Sequence, residues 1–146
     1  MLGMPTSSQG IVMLFTGLLL LASNVAHPSN LTAGELDWQE IVPGAYFAAA
    51  YGDWNSQPHG KFVKFQPGMV VPLHTHTGAY DGVMISGKMV NVLDDGQRID
   101  IEAGHYFHMA ADRTHGHECI SQEPCFFYTH SDKAWDLQLI ETEAAE

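Results

Sequence analysis

Four of the nine histidines in this chain of 146 residues form two pairs with the same spacing. His74 and His76 are two residues apart, and His115 and His117 repeat that spacing about forty residues later. In a β-strand, side chains at positions i and i+2 point to the same face, so each pair would present two imidazoles to one side of a sheet. Neutral imidazoles bind iron, manganese, nickel, copper and zinc. Two such strands lying side by side could therefore hold one divalent transition metal ion.

The segments that must position these histidines are short and β-prone, with Gly, Pro, Asn and Asp between them. Turn residues every ~8–12 positions are typical of an all-β sandwich or barrel. The sequence therefore predicts an all-β domain over residues 35–140. The predicted strands are Ile41–Ala50, Lys61–Phe65, Met69–Leu73, Tyr80–Ile85, Lys88–Val92, Arg98–Ile101, His105–Met109, His115–Ile120 and Cys125–His130.

The composition describes a folded and acidic domain. Hydrophobic residues make up 45% of the chain, which is enough for a core, and the formal net charge is −11. Nucleic acids and anionic membrane surfaces would find no basic patch, so neither is expected as a partner. The sequence also lacks the Gly-x-Ser-x-Gly nucleophile motif and a phosphate-binding glycine loop.

The first histidine pair lies in a segment that resembles the first motif of the cupin superfamily. That motif consists of Gly, five residues, His-x-His, a Glu a few residues later, and a closing Gly. This chain has Gly68, five residues, then His74-Thr75-His76, and it closes at Gly87.

The second histidine pair lies in a segment that resembles the second cupin motif. It begins at Gly104, and after five residues Ala110–Asp112 stands where the family has Pro-x-Gly, so we expect a looser turn. His115 keeps its place, and Cys119 replaces an Asn. The resemblance implies a cupin-type jelly-roll β-barrel whose divalent metal ion is held by His74, His76 and His115. More narrowly, the chain resembles small exported bacterial cupins to which no reaction is assigned.

The Glu ligand of the first motif is absent. Counting back from Gly87 puts Tyr80 in its place, and counting on from His76 puts Asp81 there. Neighbours on a strand face opposite sides, so one of them points inward; we favour Tyr80, with Asp81 as the alternative. A site of three neutral imidazoles would leave the ion positively charged, and it would attract an anionic or bidentate oxygen ligand such as a carboxylate, an enolate or a catechol.

These features predict a metal-binding cupin that acts on a small oxygen-bearing molecule by oxygenase or isomerase chemistry, with Tyr80 or His117 moving a proton. A non-catalytic binding or sensing module with the same pocket is the alternative, and a metal-free barrel is a third hypothesis. Cupins often pair through sheet edges, which leaves a homodimer open. His59 lies in the loop Gly52–Gly60, and we expect it to be exposed and without a role.

The N-terminal segment is typical of a signal peptide. The apolar run Ile11–Ala22 is too short for a transmembrane helix, and small residues follow it. With Ala26 as the last residue of the leader, residues 1–26 would be removed and the protein would be periplasmic or secreted. No Lys or Arg precedes the apolar run, so two alternatives remain: an uncleaved membrane anchor, and a misassigned start with Met4 or Met13 as the first residue.

An oxidising compartment would permit a disulfide between Cys119 and Cys125. The residues between them, Ser121–Pro124, are typical of a turn. Cysteines that flank such a turn would face each other across an antiparallel hairpin, at a separation that a disulfide can span. The acidic tail, residues 141–146, is expected to fray.

Overall fold

Eleven short strands and one turn of 3-10 helix, Ala33–Glu35, make up the regular structure of residues 30–140, the part of the chain that the computed structural model describes. The predicted leader and the acidic tail lie outside these residues. Within them, no helix has the length and apolar character needed to cross a membrane. The strands are β1 (Gln39–Val42), β2 (Ala45–Tyr51), β3 (His59–Phe65), β4 (Val70–Thr75), β5 (Tyr80–Ser86), β6 (Lys88–Leu93), β7 (Arg98–Glu102), β8 (Tyr106–Met109), β9 (His115–Cys119), β10 (Cys125–Ser131) and β11 (Gln138–Leu139).

The strands form two antiparallel sheets that face each other. The first sheet has the order β1-β2-β3-β10-β5-β8, and the second has the order β11-β4-β9-β6-β7. The chain stays within one sheet from β1 to β3 and from β6 to β7, and every other connection between consecutive strands passes to the opposite sheet. This repeated crossing produces a jelly-roll, and it confirms the all-β prediction.

The inner faces of the two sheets enclose the core, and alternation along each strand selects the residues that enter it. In β3, His59, Lys61, Val63 and Phe65 are buried, whereas Phe62 and Lys64 are half-buried on the outer face. The largest apolar contacts are between aromatic rings, as in the edge-to-face pair of Phe65 with Phe127 at 5.3 Å. The inner face of β3 is therefore apolar at one end and polar at the other.

One predicted strand was wrong in its extent. Ile41–Ala50 is two strands, because the chain turns at Pro43 and Gly44 and pairs β1 with β2 in an antiparallel hairpin. Pro43 has no backbone N–H for a ladder bond, and Gly44 takes the left-handed conformation with φ of +86°. The short strand β11 was not predicted, since its only ladder partner is the distant β4.

The predicted disulfide is present and joins Cys119 to Cys125, with a Cα–Cα distance of 5.8 Å. The hairpin expected around it was wrong. Cys119 ends β9 in the second sheet, whereas Cys125 begins β10 in the first sheet, so the bond links the two sheets at a crossing. Both cysteines are fully buried.

Candidate metal centre

The two histidine pairs lie on adjacent elements of the second sheet. His74 is on β4, His76 directly follows that strand, and His115 and His117 are on β9. The strands are antiparallel, with His74 opposite His115 in the ladder. The rings of His74 and His115 are 4.4 Å apart, and those of His76 and His115 are 5.2 Å apart. All four side chains are buried, so the fold gathers every histidine of the two motifs in one place.

Each of the four rings uses its Nδ1 atom to donate to an oxygen that the fold holds in place. The pairs are His74 with the Pro72 carbonyl (2.7 Å), His115 with the Arg113 carbonyl (2.8 Å), His117 with Asn91 Oδ1 (2.6 Å), and His76 with the Asp136 carbonyl. A carbonyl oxygen only accepts, so the proton of each neutral ring lies on Nδ1 and the Nε2 lone pair is free. This is the arrangement by which proteins orient imidazoles toward a metal ion.

The Nε2 atoms face one another. His74 Nε2 and His76 Nε2 are 3.1 Å apart, and with both protons on Nδ1 no hydrogen lies between them. Two lone pairs at that distance repel each other unless a cation lies between or beside them. The ligand nitrogens of His74, His115 and His117 all lie within 4.8 Å of one another. A set of convergent, unprotonated imidazole nitrogens matches the donor preference of a divalent transition metal ion.

The sequence-based set and the tightest structural set share two members. His74 and His115 belong to both, whereas the third predicted ligand, His76, touches the group through His74. His117, for which the sequence suggested a proton-moving role, lies inside the tight group. The two-residue spacing that singled out His74 and His76 is present in the second pair as well, and it is the signal that places His117 in the cluster.

Burial keeps these histidines unprotonated at neutral pH. The pKa of His76 and that of His115 are lowered to about 4, mainly by loss of solvation and in smaller part by neighbouring imidazoles. Desolvation also lowers the pKa of His74, and it lowers that of His117 well below the ordinary value. Metal ions compete with protons for these nitrogens, so low pKa values keep the site open to a cation.

Tyr80 reaches the cluster from the opposite sheet. Its hydroxyl lies 3.1 Å from His115 Nε2 and 3.3 Å from His117 Nε2. Burial raises the pKa of this phenol above its ordinary value, so it keeps its proton and can donate it to one of the two nitrogens.

Asp81, the alternative to Tyr80, lies on the outer face of the same strand. Its carboxylate accepts hydrogen bonds from the Tyr106 hydroxyl (2.5 Å) and from His108 Nδ1 (2.8 Å). Those bonds lower the pKa of Asp81, the Tyr106 bond most. Of the two residues, Tyr80 is therefore the one that faces the histidines.

The turn before β9 is joined to the first motif by a hydrogen bond. Asp112 stands where the family motif has Gly, and it takes the left-handed conformation, with φ of +59°. Asp and Asn tolerate this conformation better than other residues with a Cβ atom. The Asp112 amide donates to the His76 carbonyl at 2.9 Å. The turn therefore ties the first motif to the second.

A cavity of about 300 Å³ opens beside the cluster, a size suited to a small molecule. His74, His76, Tyr80 and His117 line one part of it, and most of the remaining wall is apolar. The apolar lining residues are Ile41, Val42, Ala45, Phe47, Val63, Phe65, Met69, Val71, Pro72, Phe127, Ala134, Trp135, Leu137 and Leu139. Among the lining residues that the structure describes, none is acidic.

Two further polar residues of this cavity were misjudged or missed. His59, expected to be exposed, is 2% exposed and begins β3 instead of lying in a loop. Lys61, which no sequence pattern singled out, is 3% exposed and lines the same cavity. Both share the inward face of β3 with Val63 and Phe65, and β2 and β10 pair with the two edges of that strand.

Comparison with known proteins agrees with this architecture. The family model of the cupin domain matches residues 61–131, which contain both histidine pairs. No curated protein matches the chain.

Solved structures resemble the fold at low sequence identity. KdgF from Halomonas sp. is 21% identical, with a TM-score of 0.60, over 73% of this chain and 96% of that chain. The polyketide cyclase RemF from Streptomyces resistomycificus is 15% identical, with a TM-score of 0.66, over 80% and 88%. A variant of salicylate 1,2-dioxygenase from Pseudoaminobacter salicylatoxidans, in complex with gentisate, is 15% identical, with a TM-score of 0.53, over 63% and 26%. These similarities show a shared fold.

Proposed function

Because the chain belongs to the cupin superfamily and its buried histidines converge beside an apolar cavity, we propose that it binds one divalent transition metal ion and acts on a small oxygen-bearing molecule. The observation that carries this proposal is the orientation of the imidazoles. All four Nδ1 atoms donate to oxygens of the protein, which leaves four Nε2 lone pairs facing one another. Iron, manganese, nickel, zinc and copper all accept such donors.

His74 and His115 are the central ligands of the proposed site, because they pair across the ladder and belong to both the predicted set and the tightest group. His76 and His117 flank them, and either can complete a three-histidine site. A metal ion bound there would polarise an oxygen atom of a ligand. Tyr80 holds a proton at its hydroxyl between His115 and His117, where it can donate to a bound oxygen.

The charge of the site indicates the class of ligand. Four neutral imidazoles and a protonated phenol do not compensate a divalent cation, and the described cavity lining contains no carboxylate. An anionic or bidentate oxygen donor would supply the missing negative charge. The apolar walls favour a ligand with a hydrocarbon body.

We expect oxygenase or isomerase chemistry, and a non-catalytic binding module is the alternative. Open metal positions next to a cavity support a role in ligand chemistry over a closed structural site. The structural relatives include a dioxygenase and a polyketide cyclase, which supports the use of this fold for small-molecule chemistry. Oxygen uptake and product analysis across small acids, catechols and sugars would separate the two roles. If one compound raises the melting temperature without turnover, the binding module is correct.

Metal content of tag-free protein tests the central proposal. We expect about one equivalent of a transition metal per chain by elemental analysis. A double variant, His74→Ala with His115→Ala, should lose it, whereas His105→Ala, which removes an exposed histidine of the turn before β8, should retain it. Wild-type protein that is purified without metal and shows no change in melting temperature with iron, manganese, nickel, copper or zinc would refute the proposal.

We also propose that the protein is exported and acts in the periplasm or outside the cell after removal of residues 1–26. The apolar run Ile11–Ala22 and the pairing of Cys119 with Cys125 support this location. Mass spectrometry of the mature N-terminus would test it. We expect a chain that begins near residue 27, and an intact Met1 in soluble protein from the cytosol would contradict export.

A further inference from the structure

Lys61 is a buried cation without an ionic partner. Its side chain projects from β3 into the cavity, and it is 3% exposed. The polar atom nearest to its Nζ is His59 Nε2, at 3.4 Å, and no carboxylate among the described residues acts on it. Burial lowers the pKa of Lys61 to about 7, which shows how poorly the site solvates the ammonium. A lysine so placed costs stability unless something compensates its charge.

Aromatic rings provide part of that compensation. Lys61 Nζ lies 4.5 Å from the centre of the Phe47 ring and 4.8 Å from that of Trp135. Such contacts stabilise a positive charge without accepting a directed hydrogen bond. His59 donates from its own Nδ1 to the Gln57 carbonyl, so its Nε2 atom accepts from the lysine at long range. Most of the N–H donors of the ammonium therefore lack an acceptor within residues 30–140.

Thr129 stands beside Lys61 with the same deficiency. It is directly opposite Lys61 in the pairing of β10 with β3, and both residues line the cavity. The Thr129 hydroxyl is the one buried side-chain polar atom of residues 30–140 that has no hydrogen-bond partner. Buried polar groups in native proteins are nearly always hydrogen-bonded. Two adjacent groups whose hydrogen-bonding capacity the described residues leave unsatisfied, both facing one cavity, indicate a ligand group that accepts from both.

We propose that Lys61 and Thr129 form an anion-binding subsite that holds the carboxylate of the ligand. The carboxylate would accept one bond from the ammonium and one from the hydroxyl, which satisfies both donors and neutralises the buried charge. The histidine cluster lines the same cavity, and Trp135 contacts both parts, with its ring 6.1 Å from that of His76. The ligand class is therefore a small carboxylic acid with an apolar body and a second oxygen group, a hydroxyl or a ketone, for the metal end. The placement of this second oxygen group at the metal ion rests on the proposed function.

Affinities of matched compounds test this subsite in the metal-loaded, tag-free mature chain. The probes are 3,4-dihydroxybenzoate and 3-(3,4-dihydroxyphenyl)propanoate, compared with catechol and 4-ethylcatechol, which lack the carboxylate. We expect at least one acid to bind about tenfold more tightly than its carboxyl-free partner, as for a charge-assisted hydrogen bond.

Variants show which residues cause the tighter binding of the acids. Lys61→Met should reduce the affinity ratio between an acid and its carboxyl-free partner to about twofold or less. Thr129→Val should reduce this ratio by about threefold, since the substitution removes one hydrogen bond. Lys64→Met is the matched control, because Lys64 lies on the same strand but on the outer face, against the rings of Trp38 and Tyr46. Lys64→Met should leave this affinity ratio unchanged. Circular dichroism establishes that each variant is folded.

The outcomes separate this inference from the proposed function. Metal-free protein titrated with benzoate tests the subsite alone, and we expect binding that Lys61→Met weakens about tenfold. If catechols do not bind metal-loaded protein but benzoate binding depends on Lys61, the subsite stands and the metal role falls. If no carboxylate shows an advantage, or if Lys61→Met preserves it, the subsite is refuted, whatever the metal content.

Discussion

The two polar regions of the cavity bury their polar groups in opposite ways. In the histidine cluster, every imidazole donates its one proton to an oxygen of the protein, so four Nε2 lone pairs point toward the centre, beside the hydroxyl of Tyr80. At Lys61 and Thr129 donors remain: among the described residues the ammonium has one acceptor, His59 Nε2 at 3.4 Å, and the Thr129 hydroxyl has none. One region is prepared for a cation and the other for an anion. The comparison shows that the unsatisfied atoms of a buried site carry information about the sign of charge that it receives.

The largest effect should come from removing a central histidine. We expect His74→Ala or His115→Ala to weaken metal binding by more than about 100-fold, since loss of outer partners alone costs ~10–100-fold. Competition with a chelator of known affinity measures it. The same experiment on His76→Ala and His117→Ala identifies the third ligand, because the flanking histidine that is not a ligand should cost about tenfold or less. Equal and small losses of metal affinity in all four variants would contradict the proposal that the histidine cluster binds a cation.

The next effect concerns the stability cost of the buried ammonium. We expect Lys61→Met to raise the free energy of unfolding at pH 6 by on the order of 2 kcal/mol, after the cation–π contacts offset part of the desolvation. Between pH 7 and 10 the unfolded chain retains a proton that the folded Lys61, with its pKa of about 7, has released, so the wild type gains stability with pH. The advantage of the variant should therefore shrink over that range.

Urea unfolding at several pH values, in metal-free protein, measures this change. Lys64→Met serves as the control; because it keeps Lys61, its free energy of unfolding should rise with pH as that of the wild type does. A Lys61→Met variant that is less stable than the wild type at pH 6 would show that the ammonium already has a compensating partner, and the contrast between the two regions would then disappear.

A smaller effect should follow from loosening one imidazole without removing it. Asn91 Oδ1 accepts from His117 Nδ1 at 2.6 Å, and both residues are buried. Asn91→Leu keeps the size of the side chain but deprives His117 of its acceptor, and we expect metal affinity to fall by about tenfold if His117 is a ligand. Isothermal titration with the metal that native protein contains measures this. An unchanged affinity would assign the third position to His76.

The smallest effect is expected from Tyr80→Phe. The phenol is protonated and donates to an imidazole, so its loss should change metal affinity by less than about threefold. A tenfold loss would instead identify Tyr80 as a metal ligand. If turnover is found, Tyr80→Phe should lower kcat while metal content stays the same, because the proposed role of this hydroxyl is to hold a proton near the bound oxygen.

Local patterns in the chain were sufficient for most of the fold. Turn residues and β-prone runs between them predicted most of the strands, including the one that carries His115 and His117, because strand propensity and turn chemistry depend on neighbours in sequence. The predicted strand of the first motif, Met69–Leu73, ended one residue before His74, whereas β4 extends to Thr75. Pairing between distant strands could not be predicted from such local patterns. The cysteines were correctly paired, but the hairpin around them was wrong, since the sheet to which β10 belongs is decided by β3 and β5.

The sequence by itself determined the candidate metal centre, because the spacing of His74 with His76 and of His115 with His117 makes each pair share a face whatever the strands contact. Only the tertiary structure decided that Tyr80 faces the cluster and that Lys61 and Thr129 stand side by side with donors that the described residues leave unsatisfied. Burial of a side chain depends on what packs over it, and the elements that cover this cavity are far apart in sequence. Spacing therefore revealed the cation site, and packing revealed the anion site.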